Sequence, residues 1–358
     1  MLKIALFLGA GASVQFEKPT TKQFRDHMQN NDVQTSMFLD TLLGRSEFPD
    51  IEHVLQCVVD LLALKNTYAG KYFEFSKTTT PSEDQKTYRF DQLMATAKNA
   101  EDVILTELFR KYRWNPVHDP DLKEFYDSLF TTLNGYANKI YLGTTNYDQA
   151  IEIFCNQSQK KYQCIDSFKL DERHGHYLWD PQSFDYNYEP EQGKPIFLYK
   201  IHGSLNWFYF SENKLRRDLT ESDYDRNVTG PHHVFVAPTL SPKNAEKDGP
   251  YRVLRNEFVK QLKDCDVCIV IGFSFRDEVI ATHFKDFVDA GKRLIIISPK
   301  CRETYCENLQ QKSFESVYKR DEWLNEHTIK KSVYFIEKYV CKENNSDIVK
   351  QVSDILSK

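Results

Sequence analysis

Several stretches of this sequence combine residue types that could hold a phosphorylated ligand and move a proton. The first is Gly9-Ala10-Gly11-Ala12-Ser13, which follows the apolar run Ile4-Ala5-Leu6-Phe7-Leu8 without a break. Small residues let a backbone turn tightly and approach a ligand closely. A helix beginning at or after Ser13 would aim its free N–H groups and positive dipole end at this turn and make a pyrophosphate site. The other reading is an ordinary strand-to-helix turn. The second stretch is Thr144-Thr145-Asn146-Tyr147-Asp148. Asn146 both donates and accepts hydrogen bonds and Asp148 carries negative charge, but the same pair could form an Asx turn and cap a following helix. The third is His202-Gly203-Ser204-Leu205-Asn206-Trp207. A histidine ordinarily titrates near neutrality, so His202 suits proton transfer, with Asn206 and Trp207 supporting it by packing. Gly272-Phe273-Ser274-Phe275-Arg276-Asp277 and Ser298-Pro299 complete the set, with Arg276 and Asp277 open to reading as a helix N-terminal pair or as part of a second site.

These residues need strands to position them. Apolar runs at 4–8, 139–143, 196–201, 234–237, 269–271, 294–297 and 333–336 read as strands. Four polar or small clusters, at 9–13, 143–148, 272–277 and 298–299, lie where buried strands end. In an open parallel sheet, ligands bind outside the carboxyl ends of the strands. Between about 35 and 135 the apolar residues recur at helical spacing: Phe38, Leu39, Leu42 and Leu43; then Val54, Leu55, Val58 and Val59; then Val103, Ile104, Leu105, Leu108 and Phe109. A polar, Thr-rich loop is expected at 76–85. Residues 122–133, 251–262 and 348–356 also read as helices, Thr20 or Thr21 as the cap of a helix after the glycine turn, 156–195 as loops and short strands, and 214–230 as an exposed charged connection. The expected fold is α/β: a Rossmann-like parallel sheet formed by 1–34 and 136–358, with a large helical insertion at 35–135. The dinucleotide fingerprint would need a third glycine where Val14 stands, and no acidic residue closes a second strand about 20 residues on, which disfavours an ordinary dehydrogenase.

With 358 residues the chain is long enough for a substantial core, and 25 Phe and 20 Tyr will supply much of it. Lys plus Arg is 47 and Asp plus Glu is 52, a formal charge of −5 that gives no general argument for nucleic-acid or membrane binding. Met1-Leu2-Lys3 leads straight into the first strand, unlike a secretory leader, and no apolar run approaches the ~20 residues of a membrane span. The eight cysteines are scattered rather than framed as disulfides, and the expected compartment is the reducing cytoplasm. Cys265 and Cys268 have zinc-like spacing but lie beside an apolar strand without a second such pair, and read better as buried thiols. His174, His176, His232 and His233 lack matched metal partners and read as loop residues.

Taken together, the motifs resemble the sirtuin family. The glycine turn at Gly9 to Ser13, the Thr-x-Asn-x-Asp stretch with Asn146 and Asp148, the His202-Gly203 pair and the Gly272-Phe273-Ser274 turn stand in the family's order. The chain departs from the deacylases in two places. They carry four zinc cysteines between the His-Gly and Gly-x-Ser motifs; this chain has only Cys265 and Cys268 there, so no zinc-ribbon module is expected, since a structural zinc needs four ligands. Their Pro-Asp-Phe-Arg element is replaced by Glu17-Lys18-Pro19-Thr20-Thr21. These departures, with Pro-Thr-Thr and His-Gly-Ser-Leu-Asn-Trp, point to the sirtuin-like NAD hydrolases of bacterial antiphage systems.

The resemblance implies NAD as substrate and no zinc. It implies that Gly9, Ala10, Gly11, Ala12 and Ser13 hold the diphosphate, that Asn146 orients ribose or water, and that Asp148 faces the developing cation or the nicotinamide amide. His202 would take the proton. Thr145, Gly272, Ser274 and Ser298 would line the cofactor, the two serines beside adenosine, and Thr20 or Thr21 would reach the nicotinamide side from a loop at 15–21. A gated enzyme is expected, homo-oligomeric through the helical insertion, with a partner such as a HerA-type ATPase or a short Argonaute and without direct nucleic-acid or membrane contact. The competing expectations are an NAD-dependent deacylase or ADP-ribosyltransferase, and a non-catalytic sensor of NAD or ADP-ribose.

Overall fold

The run from Ile4 to Leu8 is apolar throughout and all five side chains are buried. Such a strand must be paired on both edges and covered on both faces. The computed structural model describes residues 1–31, 51–64, 84–172, 176–180, 182, 184, 193–210, 214–217, 233–235, 250–328 and 332–358, and it supplies both neighbours and both covers. Its strands are β1 (Ile4–Leu8), β2 (Ile140–Thr144), β3 (Tyr162–Ile165), β4 (Phe168–Asp171), β5 (His176–Trp179), β6 (Lys194–Lys200), β7 (Gly203–Phe210), β8 (Lys214–Arg217), β9 (His233–Phe235), β10 (Val267–Ile271), β11 (Arg293–Ile297) and β12 (Val333–Ile336). Among the described residues, seven of them form one sheet in the order β12-β11-β10-β1-β2-β6-β3, with every pairing parallel.

Alternation along β1 divides the core. Ile4, Leu6 and Leu8 enter one cluster with the helices Asp119–Asn134, Ala150–Gln157 and Lys342–Leu356. Ala5 and Phe7 enter another with the helices Pro250–Asp264 and Glu278–Asp289 and the helical segment from Cys301 to Leu309. The sheet is thus the middle layer of three, a Rossmann-like arrangement as expected. The connection from β1 leads eventually to the β2 flank, whereas that from β10 leads to β11. The strand order therefore reverses between β1 and β10, which opens a crevice at the carboxyl ends. Register brings the ends level: Leu8 pairs with Thr144 and Ile271, Thr144 with Lys200, and Ile271 with Ile297.

Contacts divide the chain into two compact units: Met1–Lys18, Arg113–Phe235 and Asn244–Lys358 form one, and Pro19–Tyr112 with Val236–Lys243 the other. The helix Asp119–Asn134, grouped by sequence with the helical insertion, therefore lies in the sheet unit: Leu122, Phe125, Tyr126, Leu129, Phe130 and Leu133 are buried in its core. In the described part of the second unit are the helices Thr21–Asn31, Ile51–Leu64 and Asp84–Tyr112. Thr20 starts the first with a capping box. Its Oγ1 accepts from Gln23 N at 3.3 Å while its N–H donates to Gln23 Oε1 at 2.8 Å. Phe24 packs against Tyr112 (6.2 Å between centroids), whose hydroxyl donates to Pro19 O at 2.6 Å.

A second sheet, order β4-β5-β8-β7-β9 and antiparallel throughout, is not anticipated from the sequence. It corrects one expectation, since 214–217 form a strand rather than an exposed connection, and it adds the strand 203–210, which the sequence left unassigned. Partners explain both. Trp207 is buried against Phe168 (5.0 Å between centroids), and Arg217 pairs with Asp166 and lies 4.7 Å from the Tyr177 ring centroid. The helix Val317–Thr328 is also additional. Expectations at 38–43, 76–83, 218–230 and 236–243, and at His174, Pro181 and His232, lie outside the described residues.

The sheet's crevice closes on glycine. Gly272 has φ +65°, and a Cβ there would lie 2.3 Å from Ala12 N and 2.4 Å from Gly11 C. Gly272→Ala is therefore expected to cost roughly 1–2 kcal/mol for the left-handed backbone, plus the cost of moving the facing turn. Gly291, with φ +76° and no atom within 4 Å of where a Cβ would sit, is the control that costs the backbone contribution alone. Thermal melts should place Gly272→Ala clearly below Gly291→Ala; equal shifts would show that the close approach is unimportant.

Candidate active site

The site grows from loops that leave neighbouring strand ends. After β1, Gly9 N donates to Ile271 O and Gly11 N to Gly272 O, both at 2.9 Å, while Ala12 N and Ser13 N donate back to Gly9 O and Ala10 O. Residues Ala10–Ala12 and Val14–Phe16 form short 3-10 turns, and the first α-helix starts only at Thr21, in the other unit. The amides of Gly9 and Gly11 thus close the turn against Ile271 and Gly272, and those of Ala12 and Ser13 bond within it. Phe16 and Lys18 are buried and anchor the chain as it leaves the turn, with Phe16 against Trp114 (5.6 Å between centroids).

The loop after β2 locks onto the glycine turn. Thr144 Oγ1 donates to Leu8 O (2.9 Å) and accepts from Asn146 N (3.0 Å). Asn146 Nδ2 donates to Gly9 O at 3.0 Å and to Ser13 Oγ at 3.1 Å. Ser13 Oγ in turn donates to Asp148 Oδ2 at 2.8 Å, and all three side chains are buried. Asp148 Oδ1 accepts from Ala150 N at 3.0 Å at the start of the helix Ala150–Gln157. Asp148 thus meets the helix-start reading as well as lying in the cluster, whereas Asn146 ties two loops together.

His202 occupies the turn between β6 and β7. Ile201 N donates to Thr144 O at 2.9 Å; Ser204 Oγ and Leu205 N donate to Tyr147 O at 3.3 and 3.2 Å. The histidine is therefore held to the loop carrying Asn146 and Asp148. Its Nε2 lies 3.1 Å from Asp277 Oδ2. Asp277 Oδ1 accepts from Ile280 N at 3.2 Å and caps the helix Glu278–Asp289. Burial pushes the Asp277 carboxyl up, but the His202 bond and charge and the N–H groups of Ile280 and Val279 outweigh it, so the carboxyl titrates below its ordinary value. With Nε2 donating to Asp277, Nδ1 is the nitrogen left to accept a proton.

Gly9, Ser13, Asn146 and Asp148 are thus joined by hydrogen bonds, and His202 is fastened to their loop. Thr145, half-buried, donates its N–H to Leu8 O at 3.3 Å. Ser274 and Ser298 stand on the loops after β10 and β11: Ser274 O accepts from Asn308 Nδ2 at 2.6 Å, and Ser298 N donates to Ile336 O at 3.2 Å. Thr20 and Thr21 belong to the other unit. Sequence reasoning leaves the Asp277 partner of His202 undecided and passes over Lys200 and Glu152, a buried ion pair at 3.1 Å beneath the Asp148 loop. The available signal was a lysine set within the apolar run at 196–201. Cys265 and Cys268 are buried, and burial pushes the Cys265 thiol up to about 12. Among the described residues no three His, Cys, Asp or Glu side chains converge as a metal site, and no helix is long and apolar enough to cross a membrane.

Residues 141–318 match the SIR2-like domain family. The matched span holds the Asn146–Asp148 loop, His202 and the 272–277 loop, and it supports a sirtuin-like family with an NAD-related activity of sirtuin type. Among solved structures the chain is similar to a mutant of Sir2 homologues in complex with 2'-O-acetyl-ADP-ribose, at 12% identity and a TM-score of 0.45 over 99% of this chain and 93% of that one. It is also similar to a structure described as the basis for the mechanism and regulation of Sir2 enzymes, at 12% identity and a TM-score of 0.43 over 99% and 92%. No curated protein matches the chain.

The two roles of Asp277 separate by substitution. Asn keeps a capping side chain but removes the charge; Ala removes both, at about 1 kcal/mol for the cap. Because the folded carboxyl titrates below its ordinary 3.8, its charge adds stability above the unfolded-state value, and this is lost as pH falls through the lower folded value. The stability gap between wild type and Asp277→Asn should therefore be present at neutral pH and close as pH falls below that ordinary value. Denaturant melts across this range check it; a gap that widens in acid would overturn it.

Proposed function

We propose that this chain cleaves the nicotinamide–ribose bond of NAD+, giving nicotinamide and ADP-ribose. The observation that carries the reading is the His202–Asp277 pair at 3.1 Å, with His202 fastened to the loop after β2 that carries Asn146 and Asp148. As the bond breaks, both its electrons go to the pyridinium nitrogen, which leaves as neutral nicotinamide. Positive charge develops on the ribose, as in glycoside cleavage. Water oxygen forms the new bond to C1′, and the released proton goes to His202. Asp277 holds the imidazole in the accepting tautomer and stabilises the imidazolium that forms. Asp148 supplies negative charge near the developing cation, and Asn146 holds the glycine turn in register with ribose or water.

In this reading the diphosphate lies against Gly9 to Ser13, Thr145 and Gly272 line the cleft, and Ser274 and Ser298 stand beside adenosine. We further propose that the activity serves antiphage defence in the cytoplasm and is gated by homo-oligomerisation through the helical unit and by a partner such as a HerA-type ATPase or short Argonaute. The need for a gate is chemical, since an unrestrained NAD hydrolase would drain the cofactor. Only two cysteines lie between Gly203 and Gly272, so the protein is expected to work without stoichiometric zinc.

Nicotinamide release from NAD+, with and without an acylated peptide, tests the reaction, and metal analysis of the same sample tests the zinc expectation. Release should be independent of peptide, and His202→Ala should lower it by about 10²–10⁴-fold while the protein stays folded. Full activity in that variant would remove His202 from the mechanism. Peptide dependence, or one zinc per chain, would favour a deacylase instead. Turnover should rise with protein concentration or on adding the partner; full activity in a dilute monomer would remove the gate.

A further inference from the structure

The Lys200–Glu152 pair lies directly beneath the proposed site and has no part in the chemistry assigned to His202, Asp277, Asn146 and Asp148. Lys200 ends β6 opposite Thr144, and its side chain is only 1% exposed. Nζ donates to Glu152 Oε1 at 3.1 Å and also to the backbone carbonyl of Asp148. Glu152 stands in the first turn of the helix that Asp148 opens, and is itself buried. Stability alone does not account for this pair, because a buried ion pair is often no more stable than apolar side chains of the same volume. Its geometry does. Asp148 is gripped at three points: Lys200 on its carbonyl, Ala150 N–H on Oδ1 and Ser13 on Oδ2. Two of these grips act on the carboxylate: Ser13 reaches it from the glycine turn after β1, and Ala150 N–H moves with the helix start. Lys200 is the one that holds the backbone of the loop from within a sheet strand, so it fixes the loop's height above the strand ends. Glu152 neutralises the lysine charge and keeps the ammonium pointed at the carbonyl.

We propose that Lys200, neutralised by Glu152, is a positioning residue that sets the direction of the Asp148 carboxylate for the cleavage reaction; this rests on the role proposed for Asp148 in NAD+ cleavage. Removing Lys200 alone would strand a buried carboxylate, so the test replaces both partners, Lys200→Met with Glu152→Leu. A second pair, Lys200→Gln with Glu152→Gln, keeps a polar contact between the two positions but shortens the reach to Asp148, and serves if the apolar pair does not fold. Two readouts are taken on the full chain: kcat and KM for nicotinamide release, and the amide resonance of Ala150, whose N–H donates to Asp148 Oδ1, in protein selectively ¹⁵N-labelled at alanine. The expected result is a folded variant, melting no lower than wild type for the apolar pair, with the Ala150 resonance displaced. Its kcat should fall by about 10–10²-fold, the scale of a small misplacement in an active site, with KM nearly unchanged. A folded variant with wild-type kcat and an unmoved Ala150 resonance would overturn the proposal. Wild-type protein that releases no nicotinamide, in which the double substitution still displaces Ala150, would overturn the cleavage reading while leaving the positioning role standing.

Discussion

The structure depends on how closely two backbones pass at the β1/β10 switch point. Cβ atoms at Gly9 and Gly11 would lie 2.6 and 2.8 Å from atoms of the 272–273 backbone, and one at Gly272 would meet the turn from the other side. Glycine on both sides is what lets Gly11 N reach Gly272 O. The glycines of the first turn therefore answer first to the protein's own chain. Because β1 lies between β2 and β10, this closure also sets the level at which the Asn146–Asp148 loop and the 272–277 loop leave the sheet. The ordinary logic of a glycine turn, close approach to a ligand, comes second to close approach of loop to loop.

Around that closure the polar side chains form a connected network. Ser13, Asn146 and Asp148 each bond to at least one other member or to a backbone group. Buried polar groups that are satisfied in this way rigidify a site, whereas an unsatisfied one would cost about 1–3 kcal/mol. His202 is anchored differently. Its partner Asp277 caps a helix, so the position of the imidazole follows the position of that helix's first turn. One carboxylate serves the fold and the proposed chemistry together.

The second sheet shows how a charged segment becomes a strand. Lys214 to Arg217 has little strand character of its own, yet Arg217 sits over the Tyr177 and Phe168 rings and pairs with Asp166. Burial pushes the Asp166 carboxyl up and the Arg217 charge only partly opposes this. The guanidinium contributes a flat apolar face to the rings as well as a charge to the carboxylate. The sheet extends directly from the His202 turn through β7, so the packing of Trp207 and Arg217 supports the strand that the histidine begins.

The amino-acid sequence by itself determined the parallel sheet. Runs such as Ile4 to Leu8 and Val267 to Ile271 are apolar on both faces, and only a sheet covered on both sides can bury them. It also placed the glycine turn, Asn146, Asp148 and His202 at strand ends, because the end of an apolar run is a local feature. The Thr20 cap and the periodic stretches at 54–62 and 103–109, which lie in the helices Ile51–Leu64 and Asp84–Tyr112, were readable for the same reason: capping and periodicity act over a few residues; Asp84 and Gln85, expected in a loop, belong to the second of these helices. Tertiary structure decided what depends on distant partners. Asp277 lies 75 positions from His202 and Lys200 lies 48 from Glu152; neither pairing leaves a trace in local spacing. Tertiary structure also assigned the helix Asp119–Asn134 to the sheet unit, because its buried face reads as helical from sequence while the surface it covers is supplied by other segments. The direction of each functional side chain is likewise set by bonds across the strand ends, which exist only once the sheet has formed.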